Sequence, residues 1–297
     1  MPIFRFLAAL LALAAAAPAP AYWEYTHRTV ASIAMAEVQP ATRARIQALL
    51  REGARLETPE CPTRTIEDAS VWADCIKPLG DRFSYQSSWH YQNVNVCKPF
   101  DLKSACKDGN CVSAQIERNA RLLADKSLPV RERVMALAYL VHFVGDLAQP
   151  MHGGDKGDLG GNRVPVAYGI VSGNANLHGI WDGWIPERAV TTPPGGAKGL
   201  LAGLTRAQKA ELASGTVEDW SRAAWENSRK YAYGTILGDP CRTLGKDERP
   251  TLSEAQLQSL IPEVRREVTA GGLRLARLLD DALLRGLAPG QKKPAAD

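Results

Sequence analysis

Apolar residues return at helical spacing along most of this chain, as the faces of packed amphipathic helices require. Residues 27–38 (HRTVASIAMAEV) and 40–54 carry such a stripe, and Thr65 to Asp74 reads as a third helix ending near Cys75. The pattern is clearest over 112–125 and 130–149. The second of these starts after Pro129 and stops before Pro150, with a wide stripe of Ala136, Leu137, Leu140, Val141, Val144 and Leu147. Residues 153–176 lose the period. They are rich in Gly, Asn and Asp, with a strand-like piece from Arg163 to Tyr168, and read as a loop or hairpin. Helical pattern resumes over 177–188, gives way to a surface loop at 191–200, and continues over 205–232 and 252–286. The stretch 289–297 is expected to be disordered. The whole predicts an all-α, single compact multi-helix domain with a short irregular or hairpin insertion around 153–176.

The start of the chain follows another logic. Arg5 precedes an apolar run from Phe6 to Ala17, and Ala19-Pro20-Ala21 has the small-x-small form of a signal-peptidase site. A dozen apolar residues is short for a span of roughly 20. Residues 1–21 are therefore expected to be a signal peptide, an uncleaved anchor being the alternative. Residues 22–288 would form the domain, which no other membrane span interrupts, in the periplasm or the medium.

Export changes how the cysteines read. Six of them, an even number, suit three disulfides in an oxidising compartment. Cys106 and Cys111 bracket a turn-like Lys107-Asp108-Gly109-Asn110, Cys61 and Cys75 flank a segment holding Asp74, and Cys97 with Cys241 would be the long-range pair. Fifteen pairings are open to six cysteines. Without a CxxC, zinc ligation by cysteine is the weaker reading. The net charge of +4 permits a polyanionic substrate, yet no Lys/Arg run resembles a nucleic-acid arm.

The chemistry lies in the histidines. There are five, His27, His90, His142, His152 and His178. His142 and Asp146 are spaced i,i+4, as are His178 and Asp182, which puts each pair on one helix face. Asp74 is a third placed carboxylate. Imidazole with carboxylate is a ligand set of zinc. Each pair alone is equally an intrahelical ion pair, but a helix as apolar as 130–149 needs a partner for a charge at its centre.

At these residues the chain resembles the zinc-dependent nucleases of the S1/P1 type. The blocks that carry the likeness are Ser70-Val71-Trp72-Ala73-Asp74, Trp89-His90-Tyr91, the run Ala138 to His152 and Asn176 to Asp182. It extends from Tyr22 to the C-terminal helix. The resemblance implies an all-helical fold shared with zinc phospholipase C and three zinc ions in a cleft. Asp74, His90, His142 and Asp146 would hold one ion, and His152, His178 and Asp182 another. His27, Asp146 and the backbone amine and carbonyl of the first mature residue would hold the third. The family starts on Trp with four residues before the histidine; here Tyr22 keeps that register, rather than Trp23.

The resemblance also implies roles. Zinc acidifies bound water to a pKa of about 7, and Asp74 would orient or deprotonate the attacking water. Lys77 stands where the family often has a phosphate-contacting Arg, and loses the bidentate fork; an ordinary surface lysine is the other reading. Tyr91 would stack a nucleobase, Asn93 would meet the base edge where the family can have Asp, and Asn162 would lie on the substrate side or simply in a turn. Substrates would be single-stranded DNA and RNA, cut to 5′-phosphorylated products, and 3′-phosphorylated nucleotides. No stable protein partner is expected, and the chain would be a monomer. A zinc phospholipase C and a non-catalytic exported zinc-binding protein are the alternatives.

Overall fold

The computed structural model describes residues 24–169, 175–287 and 289. The leader 1–21, Tyr22, Trp23, the domain boundary at 288 and the tail beyond Pro289 lie outside the described residues. In chain order the helices are α1 (Glu24–Glu37), α2 (Pro40–Leu50), α3 (Ile66–Cys75), α4 (Leu102–Ala105), α5 (Val112–Ala124), α6 (Val130–Leu147), α7 (Pro150–Gly153), α8 (Leu177–Asp182), α9 (Trp184–Thr191), α10 (Gly196–Leu201), α11 (Arg206–Leu212), α12 (Val217–Asn227), α13 (Gly234–Leu237) and α14 (Glu254–Asp280). Two short parallel pairs join β1 (Val94–Asn95) to β2 (Gly154–Asp155) and β3 (Ala167–Tyr168) to β4 (Thr251–Leu252). The all-α class read from the periodicity is the fold observed.

Helix α6 is the axis of the domain. It is buried on every side from Ala136 to Leu147, as a helix apolar all round must be. α3 and α5 pack on it, α1 packs on α3 and α6, and α14 lies over α1. The Tyr139 ring stacks on Phe143 at 5.2 Å and meets Trp72 of α3 edge-on at 5.1 Å. That contact sets α3 against the part of α6 that carries His142. α3 starts on a capping box in which Thr65 accepts from the Asp68 amide and Asp68 reaches back to Thr65, a cap worth about 1 kcal/mol.

All three disulfides raised by the cysteine spacing form, Cys61–Cys75, Cys97–Cys241 and Cys106–Cys111. The first clasps the end of α3, one residue past Asp74. The β1–β2 pairing does similar work for the next segments: with the Gln92 amide donating to the His152 carbonyl at 2.9 Å, it ties the chain after His90 to the chain after His152.

Several boundaries differ from the periodic reading. The helix expected over 40–54 stops at Leu50, and a 3-10 turn follows at Gly53–Leu56. The one over 177–188 is two, α8 and α9, because Gly183 leaves helical geometry at φ −120°, ψ −84°. Residues 191–200 are not wholly loop, since α10 begins at Gly196. The helix over 205–232 is α11, a break, and then α12, which starts anew on a Thr216–Asp219 capping box and runs into a π-helical turn, Ser228–Tyr233. In the insertion, Pro165 and Asn176 form an antiparallel bridge, while Ala167–Tyr168 pairs with β4 far along the chain.

Candidate metal centre

Five helices and one 3-10 turn deliver the histidines and carboxylates. α1 brings His27, α3 brings Asp74, and α6 brings His142 and Asp146. The 3-10 segment Ser84–His90 ends on His90, α7 carries His152, and α8 carries His178 and Asp182. Asp146 sits at the centre and is fully buried. Its Oδ2 stands 3.0 Å from His90 Nδ1 and 3.1 Å from His142 Nε2. Its Oδ1 faces His27 Nε2 at 3.4 Å and His152 Nδ1 at 3.3 Å. Each oxygen of one carboxylate thus addresses a different pair of histidines.

The remaining candidate ligands close two clusters. Asp74 Oδ1 lies 3.5 Å from His90 Nδ1 and 3.6 Å from His142 Nε2. Asp182 Oδ2 is 3.1 Å from His178 Nε2, and its Oδ1 is 3.6 Å from His152 Nε2. Groups with metal-binding spacing form around His90, His142 and Asp146, and around His152, His178 and Asp182. A third joins His27 to Asp74 and His142, a grouping the sequence did not suggest; the His27 ring stacks on His142 at 4.2 Å.

The donor chemistry fits a cation. His142 Nδ1 donates to the Ser70 carbonyl at 2.7 Å, and His178 Nδ1 donates to the Gly160 carbonyl at 2.7 Å. In each neutral ring the lone pair is then on Nε2, the atom turned towards a carboxylate oxygen. A lone pair facing an anion is repulsive unless a proton or a metal ion lies between them, and against burial the carboxylates favour that positive charge on His142. Backbone carbonyls that set the ring in this way are the usual support of a metal-bound histidine, and nitrogen with carboxylate oxygen suits zinc.

Protonation in this cage follows the carboxylates. Burial works against charge on His152, but Asp146 and Asp182 outweigh it and hold the imidazole up to about 10. Burial dominates at His90, pushing it down to about 4. Burial opposes charge on Asp146 too, yet His142 and His152 hold its carboxyl well below the usual range. His178 does the same for Asp182. The carboxylates are anions, and His152 is an imidazole held positive between Asp146 and Asp182.

Towards solvent, Asp74 has a Lys neighbour: Lys77 Nζ is 2.5 Å from Asp74 Oδ1. Tyr91, next to His90, is 37 % exposed. Asn93 is exposed and takes a left-handed backbone, φ 47°. Asn162 is exposed and donates its amide to the Leu159 carbonyl at 2.9 Å, which favours the turn reading of that residue.

Three supports were not read from the sequence. Gln149, fully buried, donates to Asp182 Oδ1 at 2.7 Å and accepts from the Met151 amide. Its place between Leu147 and Pro150 gave only a helix-end signal. Gly145 leaves room for His27, because a Cβ there would lie 2.5 Å from His27 Nδ1. Asp155 and Asp158 accept from the Gly160 and Gly161 amides at 2.9 and 2.8 Å, and Tyr233 donates to Asp158 at 2.6 Å. That network shapes the turn whose Gly160 carbonyl holds His178. Tyr233 is remote in sequence, so no local pattern could have flagged it.

A helical domain built round a buried histidine–carboxylate cage is the class that fold and site define. The family profile described as S1/P1 nuclease matches residues 22–284, and the chain belongs to that family. It is 28 % identical over 272 residues to Endonuclease 2 of Arabidopsis thaliana, covering 86 % of this chain and 88 % of that protein. It is 23 % identical over 274 residues to Nuclease PA3 of a Penicillium species, covering 86 % and 95 %. Nuclease S1 of Aspergillus oryzae is 29 % identical over 167 residues, covering 55 % and 54 %.

Proposed function

We propose that this protein is an exported zinc-dependent nuclease that hydrolyses single-stranded DNA and RNA to 5′-phosphorylated products, and that it also removes 3′-phosphates from nucleotides. The observation that carries the reading is the two-sided Asp146 carboxylate, which suits a bridge between two ions. Asp74, His90, His142 and Asp146 would hold one zinc, and His152, His178 and Asp182 a second. His27 and Asp146 would hold the third, with the backbone of Tyr22 once signal cleavage frees its amine. Zinc in such a site supplies acidified water and neutralises phosphate charge.

The chain's own groups do the rest. Asp74, at the solvent side, accepts the proton of the attacking water. Lys77 leaves Asp74 to meet a non-bridging phosphate oxygen as a point charge. Tyr91 offers its exposed face to a base, and Asn93, two residues on, offers an amide that both donates and accepts. A base reaches Tyr91 only when unstacked, which costs least in an unpaired strand. Three disulfides and the leader-like start support export, and the absence of any described helix able to cross a membrane agrees with it.

The test compares mature, zinc-replete protein on single-stranded DNA, duplex DNA, a 3′-mononucleotide and phosphatidylcholine, with metal content measured on the same sample. Cleavage of the single strand well above duplex, at close to three zinc per chain, is the expected result. Lipid turnover without nucleolysis would overturn the reading in favour of a phospholipase. Zinc bound with no turnover of any substrate would leave a binding protein.

A further inference from the structure

Five large apolar or aromatic side chains are exposed among the described residues: Tyr25, Tyr85, Tyr91, Val130 and Leu159. Three are tyrosines, and each lies within five residues of a candidate metal-binding histidine: Tyr25 before His27, Tyr85 and Tyr91 on either side of His90. Tyr85 is the most exposed of the three, at 49 %. It is nonetheless held. Its ring sits edge-on to Trp89 at 5.1 Å, and its hydroxyl is 3.4 Å from that of the buried Tyr139. Trp89 is itself fixed, donating to Asn110 Oδ1 at 3.2 Å and packing edge-on to Tyr139 and Phe143.

A cation completes the patch. The Arg118 guanidinium, exposed on α5, lies 5.6 Å from the Trp89 ring centroid. Its charge also reaches Tyr139, and among the described residues no carboxylate pairs with it. α5 begins where the Val112 amide donates to the Tyr91 carbonyl. Tyr85 and Arg118 therefore meet the same Trp89 ring, and the Tyr91 backbone, two residues on, joins the start of α5. Tyr91 follows Tyr85 by six positions, about 12 Å of chain at the usual 3-10 rise.

We propose that Tyr85 and Arg118 form a second nucleotide subsite, Tyr85 stacking a base and Arg118 pairing with a backbone phosphate of an unpaired strand that extends beyond Tyr91. A preset aromatic face beside an unpaired guanidinium is the chemistry that binds single strands without regard to sequence. The inference rests on the nuclease reading and adds to it a reason for preferring polymers to short fragments.

The test measures KM and kcat of the mature, zinc-replete protein for a dinucleotide and for an unstructured octanucleotide. Tyr85→Ala raises the ratio of KM for octamer to KM for dinucleotide about tenfold, within the worth of one stacked base. Tyr85→Phe, which keeps the ring, restores the wild-type ratio. Arg118→Ala raises the same ratio and lowers the salt dependence of octamer binding by roughly 0.7 in the log–log slope, the value for one single-strand phosphate contact. An unchanged ratio in Tyr85→Ala and Arg118→Ala, or a Tyr85→Phe variant as impaired as Tyr85→Ala, overturns the subsite while leaving the nuclease reading intact. Wild-type protein that turns over neither substrate overturns both.

Discussion

The finest control in this molecule is exerted by atoms that bind nothing themselves. Gly145 lies between His142 and Asp146 on α6, where a side chain would strike the His27 ring. Gly145→Ala is therefore expected to displace His27 while leaving a good helix former on α6. The expected outcome is loss of about one zinc per chain and at least tenfold of activity, with little change in helical content by circular dichroism. Full zinc content in that variant would show that His27 is not a ligand. Lys77 is a second single-residue question. If its charge meets the transition-state phosphate, Lys77→Ala lowers kcat by about a hundredfold, as loss of one such charge contact commonly does. Lys77→Arg then keeps most of the rate. A surface lysine would give wild-type kinetics in both variants. The histidines were legible as candidates because histidine is scarce here and two i,i+4 pairs declare a shared helix face, while the grouping of His27, Asp74, His90 and His152 is what the family resemblance implies. Gly145 and Gln149 were not, because what they do depends on a ring or carboxylate brought from another element.

Among elements, the turn between α7 and α8 matters most. It is a network, Tyr233 to Asp158, Asp155 and Asp158 to the Gly160 and Gly161 amides, Gly160 to His178. Removing one hydroxyl at its far end isolates its purpose. Tyr233→Phe retains the buried ring and its packing but releases Asp158. Outer supports of this kind usually alter metal affinity 10- to 100-fold. Competition with a zinc-binding dye should show one of the bound ions weakened by that amount, the others unchanged. Equal affinities throughout would mean that the turn holds His178 without Tyr233. The helices around this network also show where periodicity stops being informative. The apolar run Ile180, Trp181, Trp184, Ile185 keeps its spacing across Gly183 while the backbone does not, so one helix was expected where two exist. Capping boxes at Thr65, Thr205, Thr216 and Ser253 mark true starts that a hydrophobic pattern alone blurs.

For the whole molecule, the cage is a concentration of buried charge at the centre of the core. Asp146 and His142 are wholly excluded from water on the helix that every neighbour packs against. Without an ion, protons on histidine must neutralise the carboxylates, an arrangement weaker than coordination by a divalent cation. Metal should therefore hold the fold together as well as the chemistry. At free zinc a thousandfold above Kd, each independent site contributes about 4 kcal/mol. In a domain of this size, where 1 kcal/mol moves Tm by about 2–4 °C, chelation is expected to lower Tm by at least 10 °C, and zinc should restore it. A Tm indifferent to chelator would deny the cage its structural part. What the sequence determined by itself was local: which stretches are mainly helical, which side chains can ligate, and that Cys106 and Cys111 bracket a turn short enough to close. Tertiary packing decided the rest. It chose which oxygen of Asp146 faces which histidines, brought Asp74 to His90 and Tyr233 to the turn below His178, and set Tyr85 and Arg118 against one Trp89 ring. Those distances join residues as far apart in sequence as His27 and Asp146, and only the packing of α1, α3, α5 and α7 on α6, with α8 against α7, fixes them, because no local periodicity carries information about where a distant helix will lie.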